Sequence, residues 1–139
     1  MILSLHGFIF YVVLALGAVT LLAGLVLIWM SRRAKGSAAG ETLAPLGGYV
    51  SVQRVFRGLL WVTAIAGVVQ GALGGILYLQ GARAGVGLHY VYGLIVLAAI
   101  PVAYVYSDQK QQRRDIIIMT IAAAAIVGAA IRAFATGAP

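Results

Sequence analysis

From Ile2 to Met30 the chain reads ILSLHGFIFYVVLALGAVTLLAGLVLIWM, without a single formal charge, and Ser31-Arg32-Arg33-Ala34-Lys35 follows at once. About 20 apolar residues cross a bilayer core, so this stretch can span a membrane with length to spare. Three further stretches have the same character: about Val55 to Tyr78, about Val86 to Tyr106, and Ile116 to about Phe134. A polar loop from Gly36 to about Ser51 joins the first two, with Pro45 and Gly47-Gly48 as turn signals. Gln80-Gly81-Ala82-Arg83-Ala84-Gly85 turns the chain back, Ser107 to Asp115 makes the third connection, and Thr136-Gly137-Ala138-Pro139 is a stub. The pattern predicts an all-α integral membrane protein: one domain, a four-helix bundle running up-down-up-down in the lipid bilayer.

Composition supports this. Of 139 residues, 63% are hydrophobic and only 9% are charged. A soluble domain carries about a quarter charged residues, so this chain cannot cover a water-facing surface. The net charge of +7 raises nucleic acid as a partner. A nucleic-acid binder gathers its cations on one folded face, whereas here they sit in short loops between apolar spans, so no nucleic acid is expected. The absence of cysteine excludes disulfides, thiolate metal sites and cysteine nucleophiles.

The basic residues set an orientation. Arg32, Arg33, Lys35, Arg54 and Arg57 cluster between spans one and two, and Lys110, Arg113 and Arg114 between spans three and four. Only Arg83 and Arg132 fall at the other side. The positive-inside rule places the first set in the cytoplasm and both termini outside, as in a prokaryotic plasma membrane. Trp29, Trp61, Tyr104 and Tyr106 then mark the inner interface, and Tyr78, Tyr90 and Tyr92 the outer one. The first span has no basic segment before it and is long for a signal peptide. It reads as an anchor that exports its own N-terminus.

The chain has two histidines, His6 and His89. Both fall at the outer start of a helix, and helices one and three are diagonal neighbours in an up-down bundle. Two neutral imidazoles facing across a bundle can take both axial positions of a haem iron. Gly93 lies one turn after His89, on the same face, and leaves room for a flat macrocycle. Phe10, one turn after His6, can pack on a ring face. Against this stands the reading of each histidine as an interfacial anchor beside Tyr90 and Tyr92. Depth is a further test. From His6 to Met30 is roughly 36 Å at the helical rise, and from His89 to Tyr106 roughly 26 Å, a mismatch of about 10 Å for straight helices that end level. Tilt, a first helix that runs on past the inner surface, or a bend at Pro101 would close it.

Arg132 lies in the last turns of an apolar helix, where an arginine is costly, and Arg83 lies in the outer loop. Both are candidates to bind haem propionates through an arginine fork, or cations that reach the outer headgroups. Gly67, Gly71 and Gly75 form a small-xxx-small row in helix two, with Gly74 beside it. Such a row lets helices approach closely, within the bundle or against another membrane subunit. Helix four is similarly small from Ala122 to Ala125 and over Gly128, Ala129 and Ala130. Gln70 is the strongly polar side chain at the centre of helix two, and an interhelical hydrogen bond is expected of it. The three acids, Glu41, Asp108 and Asp115, read as inner-loop residues. With no acid or lysine in a span, a proton-coupled pump is not expected.

Four helices with histidine near the outer start of the first and third resemble one four-helix half of the haem A synthase family, and other small membrane cytochromes b. The residues that carry the resemblance are His6 and His89-Tyr90-Val91-Tyr92-Gly93. It covers nearly the whole chain and implies a haem b held by His6 and His89. A full synthase has two such halves and an outer-loop acid, which this chain lacks. The second histidine pair of the two-haem type is also missing. The resemblance therefore implies haem holding and electron transfer rather than oxidative catalysis, with quinol or a redox subunit as partner. Two other readings stay open: a cofactor-free accessory subunit of a respiratory or photosynthetic complex, packed on the Gly67, Gly71 and Gly75 row, and bacteriochlorophyll ligation by one histidine.

Overall fold

A computed structural model of the chain describes residues 1–36, 44–107 and 112–137. Glu41, Asp108 and Lys110 lie outside the described residues. The four apolar stretches form four helices: α1 Ile2–Gly36, α2 Ala44–Leu79, α3 Leu88–Tyr106 and α4 Gln112–Gly137. Each is long and apolar enough to cross a membrane. Large apolar side chains such as Leu22, Trp61, Ile65, Leu94 and Ile121 stay exposed on the outside of the bundle.

Contacts along the helices fix their directions. His6 near the start of α1 lies beside Gly74 near the end of α2, and Gly24 of α1 lies beside Phe56 of α2. Trp61 of α2 meets Tyr104 of α3 (6.2 Å between ring centroids), and Tyr78 meets Tyr90 (5.5 Å). Phe10 of α1 stacks on Phe134 of α4 (5.0 Å, 19° between planes). Each neighbouring pair therefore runs antiparallel. α1 packs on α2 and α4, and α3 packs on α4 and, less closely, on α2.

The core is thin because two faces of every helix point outwards. Val13, Leu27, Phe56 and Ile126 are fully buried. Between them sits a polar contact that sequence reading passed over. Thr20 donates its hydroxyl proton to the Leu16 carbonyl (2.7 Å), so Thr63 must donate to Thr20 across α1 and α2 (3.0 Å). In an apolar surround an unpaired hydroxyl is expensive, and this pairing satisfies both threonines. Small residues bring the helices close. A Cβ on Gly67 would lie 3.2 Å from the Val96 carbonyl oxygen, and one on Gly71 3.5 Å from Leu97. Two of the three glycines in the α2 row thus face α3 of the same chain, while Gly75 has open space beside it.

Two sequence expectations are corrected, and one open question is resolved. The connector expected from Gly36 to Ser51 is helical from Ala44 onward. Tyr49 and Val52 pack against the core, and tertiary packing outweighs the weak turn preference of nearby glycines. Asp115, read as a loop acid, lies in the first turn of α4 and is buried. An acid is favoured there by the helix dipole. Its carboxylate accepts a hydrogen bond from Ser107 at the end of α3 and faces Arg57 of α2 at 3.7 Å. The depth mismatch disappears because α1 does not end level with α3. α1 has 35 residues and α3 has 19, and the excess lies at the end away from the histidines.

A Cβ on Gly24 would fall on the Thr120 side chain and 3.0 Å from Phe56 Cε2. Gly24→Ala should lower stability by about 1–3 kcal/mol, the cost of overpacking. Gly58→Ala, where a Cβ meets nothing within 4 Å, should be neutral or stabilising by up to about 1 kcal/mol. Denaturant titration in detergent, followed by helical circular dichroism, measures both.

Candidate functional site

The two imidazoles come together at one end of the bundle. The His6 and His89 ring centroids are 6.4 Å apart, with the planes tilted by 59°. Both rings are partly buried. α1 supplies His6 in its first turns, and α3 supplies His89 as its second residue.

Each ring lies against a glycine of a neighbouring helix. A Cβ on Gly74 of α2 would sit 3.3 Å from His6 Cε1. A Cβ on Gly137 of α4 would sit 2.8 Å from His89 Nδ1 and 2.9 Å from its Cε1. An alanine at 137 would force the His89 ring to shift, and one at 74 would require the His6 ring to give by a few tenths of an ångström. Neither role was legible beforehand. Gly74 read as a companion of the α2 row, and Gly137 as part of a terminal stub.

The ring nitrogens are held unequally. His89 Nδ1 is 2.9 Å from the Ala133 carbonyl oxygen. A carbonyl only accepts, so Nδ1 carries the proton and Nε2 keeps its lone pair. That is the outer-shell arrangement found for ligating histidines, in which one ring nitrogen donates to a carbonyl and the other faces the metal. His6 Nε2 lies 3.4 Å from the amide nitrogen of Gln70 on α2, the interhelical contact expected of Gln70. His6 Nδ1 and Gln70 Oε1 are buried without a hydrogen-bond partner among the described residues. A buried polar atom left unpaired costs about 1–3 kcal/mol.

The remaining candidates make contacts of their own rather than with the two histidines. Gly93 has open space where a Cβ would be. The ring contacts of Phe10 are with Phe134 and Tyr11. Arg132 is exposed, with its guanidinium 5.9 Å from the Tyr92 ring centroid. Arg83 is already engaged: it donates to the carbonyls of Tyr78 (2.8 Å) and Ala82 (2.9 Å) and lies 4.2 Å over the Tyr78 ring. It thus closes the C-terminal end of α2, where carbonyls lack helical partners. Among the described residues no group of three or more His, Asp or Glu side chains could hold a metal ion.

No family model, curated protein or solved structure matches the chain.

Gly137→Ala should push the His89 ring off the Ala133 carbonyl. In ¹⁵N NMR of histidine-labelled protein, the His89 Nδ1–H signal should shift or exchange broaden. Gly128→Ala, at a position with nothing within 4 Å, should leave that signal in place.

Proposed function

We propose that this chain is an integral membrane haem b protein that passes electrons, with His6 and His89 as the two axial ligands of one iron. The bundle stands up-down-up-down in a plasma membrane. The end rich in Arg32, Arg33, Arg54, Arg57, Arg113 and Arg114 faces the cytoplasm, and the histidine end and both termini face outwards.

The spacing of the two imidazoles carries this reading. An imidazole nitrogen bonds a transition metal at about 2 Å, and the ring centroid lies roughly 1 Å behind that nitrogen, so two axial imidazoles on one ion hold their centroids about 6 Å apart. The observed separation is 6.4 Å. The available donors agree with it. His89 keeps Nε2 for a metal because Ala133 takes its Nδ1 proton. His6 keeps its lone pair on Nε2, which the Gln70 amide meets at 3.4 Å and which a metal could take in its place. Because only two protein ligands gather, an ion held here needs its remaining ligands from elsewhere, and a porphyrin supplies four. Open space beside Gly93 is where a flat macrocycle can extend from the His89 face of α3.

A haem with both axial positions filled by histidine supplies one-electron transfer and has no free position for oxygen. The protein's part is to hold the two rings and to keep the site apolar. Ala133 orients His89, and Gly74 and Gly137 admit the two rings between the helices. Arg132 is the outer cation best placed for a propionate, since the Arg83 guanidinium is occupied on α2. Quinol or a redox subunit is the partner class that this chemistry requires. An accessory-subunit role alone gives the meeting of the two imidazoles no purpose. It also loses much of its docking surface, because Gly67 and Gly71 face α3 of the same chain.

The full chain purified with ample haem supply should carry about one haem b and show a sharp low-spin band in a reduced-minus-oxidised visible spectrum. His6→Ala and His89→Ala should each abolish that band. A colourless protein, or a low-spin band surviving in both variants, would overturn the assignment; a pyridine extract containing bacteriochlorophyll would replace haem by that pigment.

A further inference from the structure

A second feature lies at the opposite end of the bundle, away from the histidines. α3 and α4 are packed through alanines, and the small side chains leave a trough on the outer surface between them. Ala98, Ala99, Ala103, Ala122 and Ala125 form much of its floor, and the trough is shallow and open, about 470 Å³ in volume, with an almost wholly apolar lining. Its rims follow the helical repeat. On α3 they are Ile95, Val102 and Tyr106, and on α4 Ile118 and Ile121.

Length selects the class of occupant. From Ile95 to Tyr106 the trough follows α3 for about 16 Å at the helical rise. That is half of the ~30 Å hydrocarbon core, or one leaflet. A partner transmembrane helix would track the whole core, whereas a lipid acyl chain is one leaflet long. Charge selects the headgroup. Arg114, Ile118, Ile121 and Ala125 repeat at i, i+4, i+7 and i+11, so Arg114 heads the row of α4 residues that lines the trough. Arg114 is exposed, as are Arg113 beside it and Tyr106 at the same end of α3. Among the described residues the acid beside them in the chain, Asp115, is buried and engaged with Ser107 and Arg57. Arg114 is not a lining residue; helical register places it one turn beyond Ile118 on the same face of α4, with Tyr106 at the same end of α3.

From this geometry we infer that the α3–α4 trough is a binding site for one anionic phospholipid. An acyl chain lies along Ala98, Ala99, Ala122 and Ala125, and the phosphate sits at Arg114. A neutral lipid fills the trough without the charge interaction, so the site selects by headgroup. A basic residue near an anionic headgroup is worth about 1 kcal/mol, or about fivefold in retention. This inference needs the helices to lie in a bilayer, and it does not depend on the haem reading.

Native mass spectrometry of the full chain in detergent tests it, with phosphatidylglycerol and phosphatidylcholine of identical acyl chains added in equal amounts. One phosphatidylglycerol per chain should be retained, about fivefold over phosphatidylcholine. Arg114→Gln should bring the two lipids level, and Ala125→Phe, which fills the trough from an exposed position, should release both. Unchanged helical circular dichroism serves as the folding control. Equal retention of the two lipids by the unaltered chain would overturn the headgroup assignment. Retention unaffected by Ala125→Phe would overturn the location. A doubled mass that disappears in Ala125→Phe would assign the trough to a second copy of the chain. Because the lipid measurement needs no pigment, its failure and that of the haem assignment are separate results.

Discussion

The whole arrangement depends on one constraint: four helices with apolar outer faces must satisfy every polar group internally. In hydrocarbon there is no water to take a hydrogen bond left unmade. Backbone groups are met by the helices themselves, and the few polar side chains must find one another. Thr20 and Thr63 do so in the middle of the bundle. Ser107, Asp115 and Arg57 do so at one end, where they join α3, α4 and α2. His89 and Ala133 do so at the other. Each contact crosses between helices, so each also fixes a register that apolar packing alone would leave loose.

His6 is the exception to that rule. Its Nδ1 is buried and unpaired among the described residues, as is Oε1 of Gln70. Polar groups left in this condition are rare enough that each calls for a reason. Beside it stands a second imidazole whose own proton is already committed. The proposed haem rests on the spacing of the two imidazoles. The same constraint explains the glycines. A ring can enter between helices only where the neighbouring helix has no side chain, and Gly74 and Gly137 provide those gaps.

Sequence reading and structure agree where periodicity and length decide. Four apolar stretches become four helices, and the only two histidines come together because α1 and α3 start at the same end. The expected Gln70 contact between helices is present. What was not legible depends on packing across the bundle. Nothing in the residues near Gly47-Gly48 reveals that Tyr49 and Val52 will be held by the core, so the start of α2 was set too late. Asp115 read as a loop acid because loop and first turn are alike in composition, although an acid in a first turn is itself a helix-start signal. Gly137 could not be singled out, since its role exists only once α4 lies against His89. Arg83 reads from its loop position as the weaker propionate candidate, and the carbonyls of Tyr78 and Ala82 that occupy its guanidinium depend on the turn after α2, which residue type alone does not reveal.

The central claim is that His6 and His89 bind one iron together. Low-temperature electron paramagnetic resonance of the oxidised, haem-supplied full chain tests it most directly, with hyperfine coupling read on protein labelled with ¹⁵N-histidine. The account predicts low-spin ferric iron coupled to two imidazole nitrogens, one from each residue, with one coupling lost in His6→Ala and the other in His89→Ala. High-spin iron, or iron coupled to one imidazole only, would contradict it.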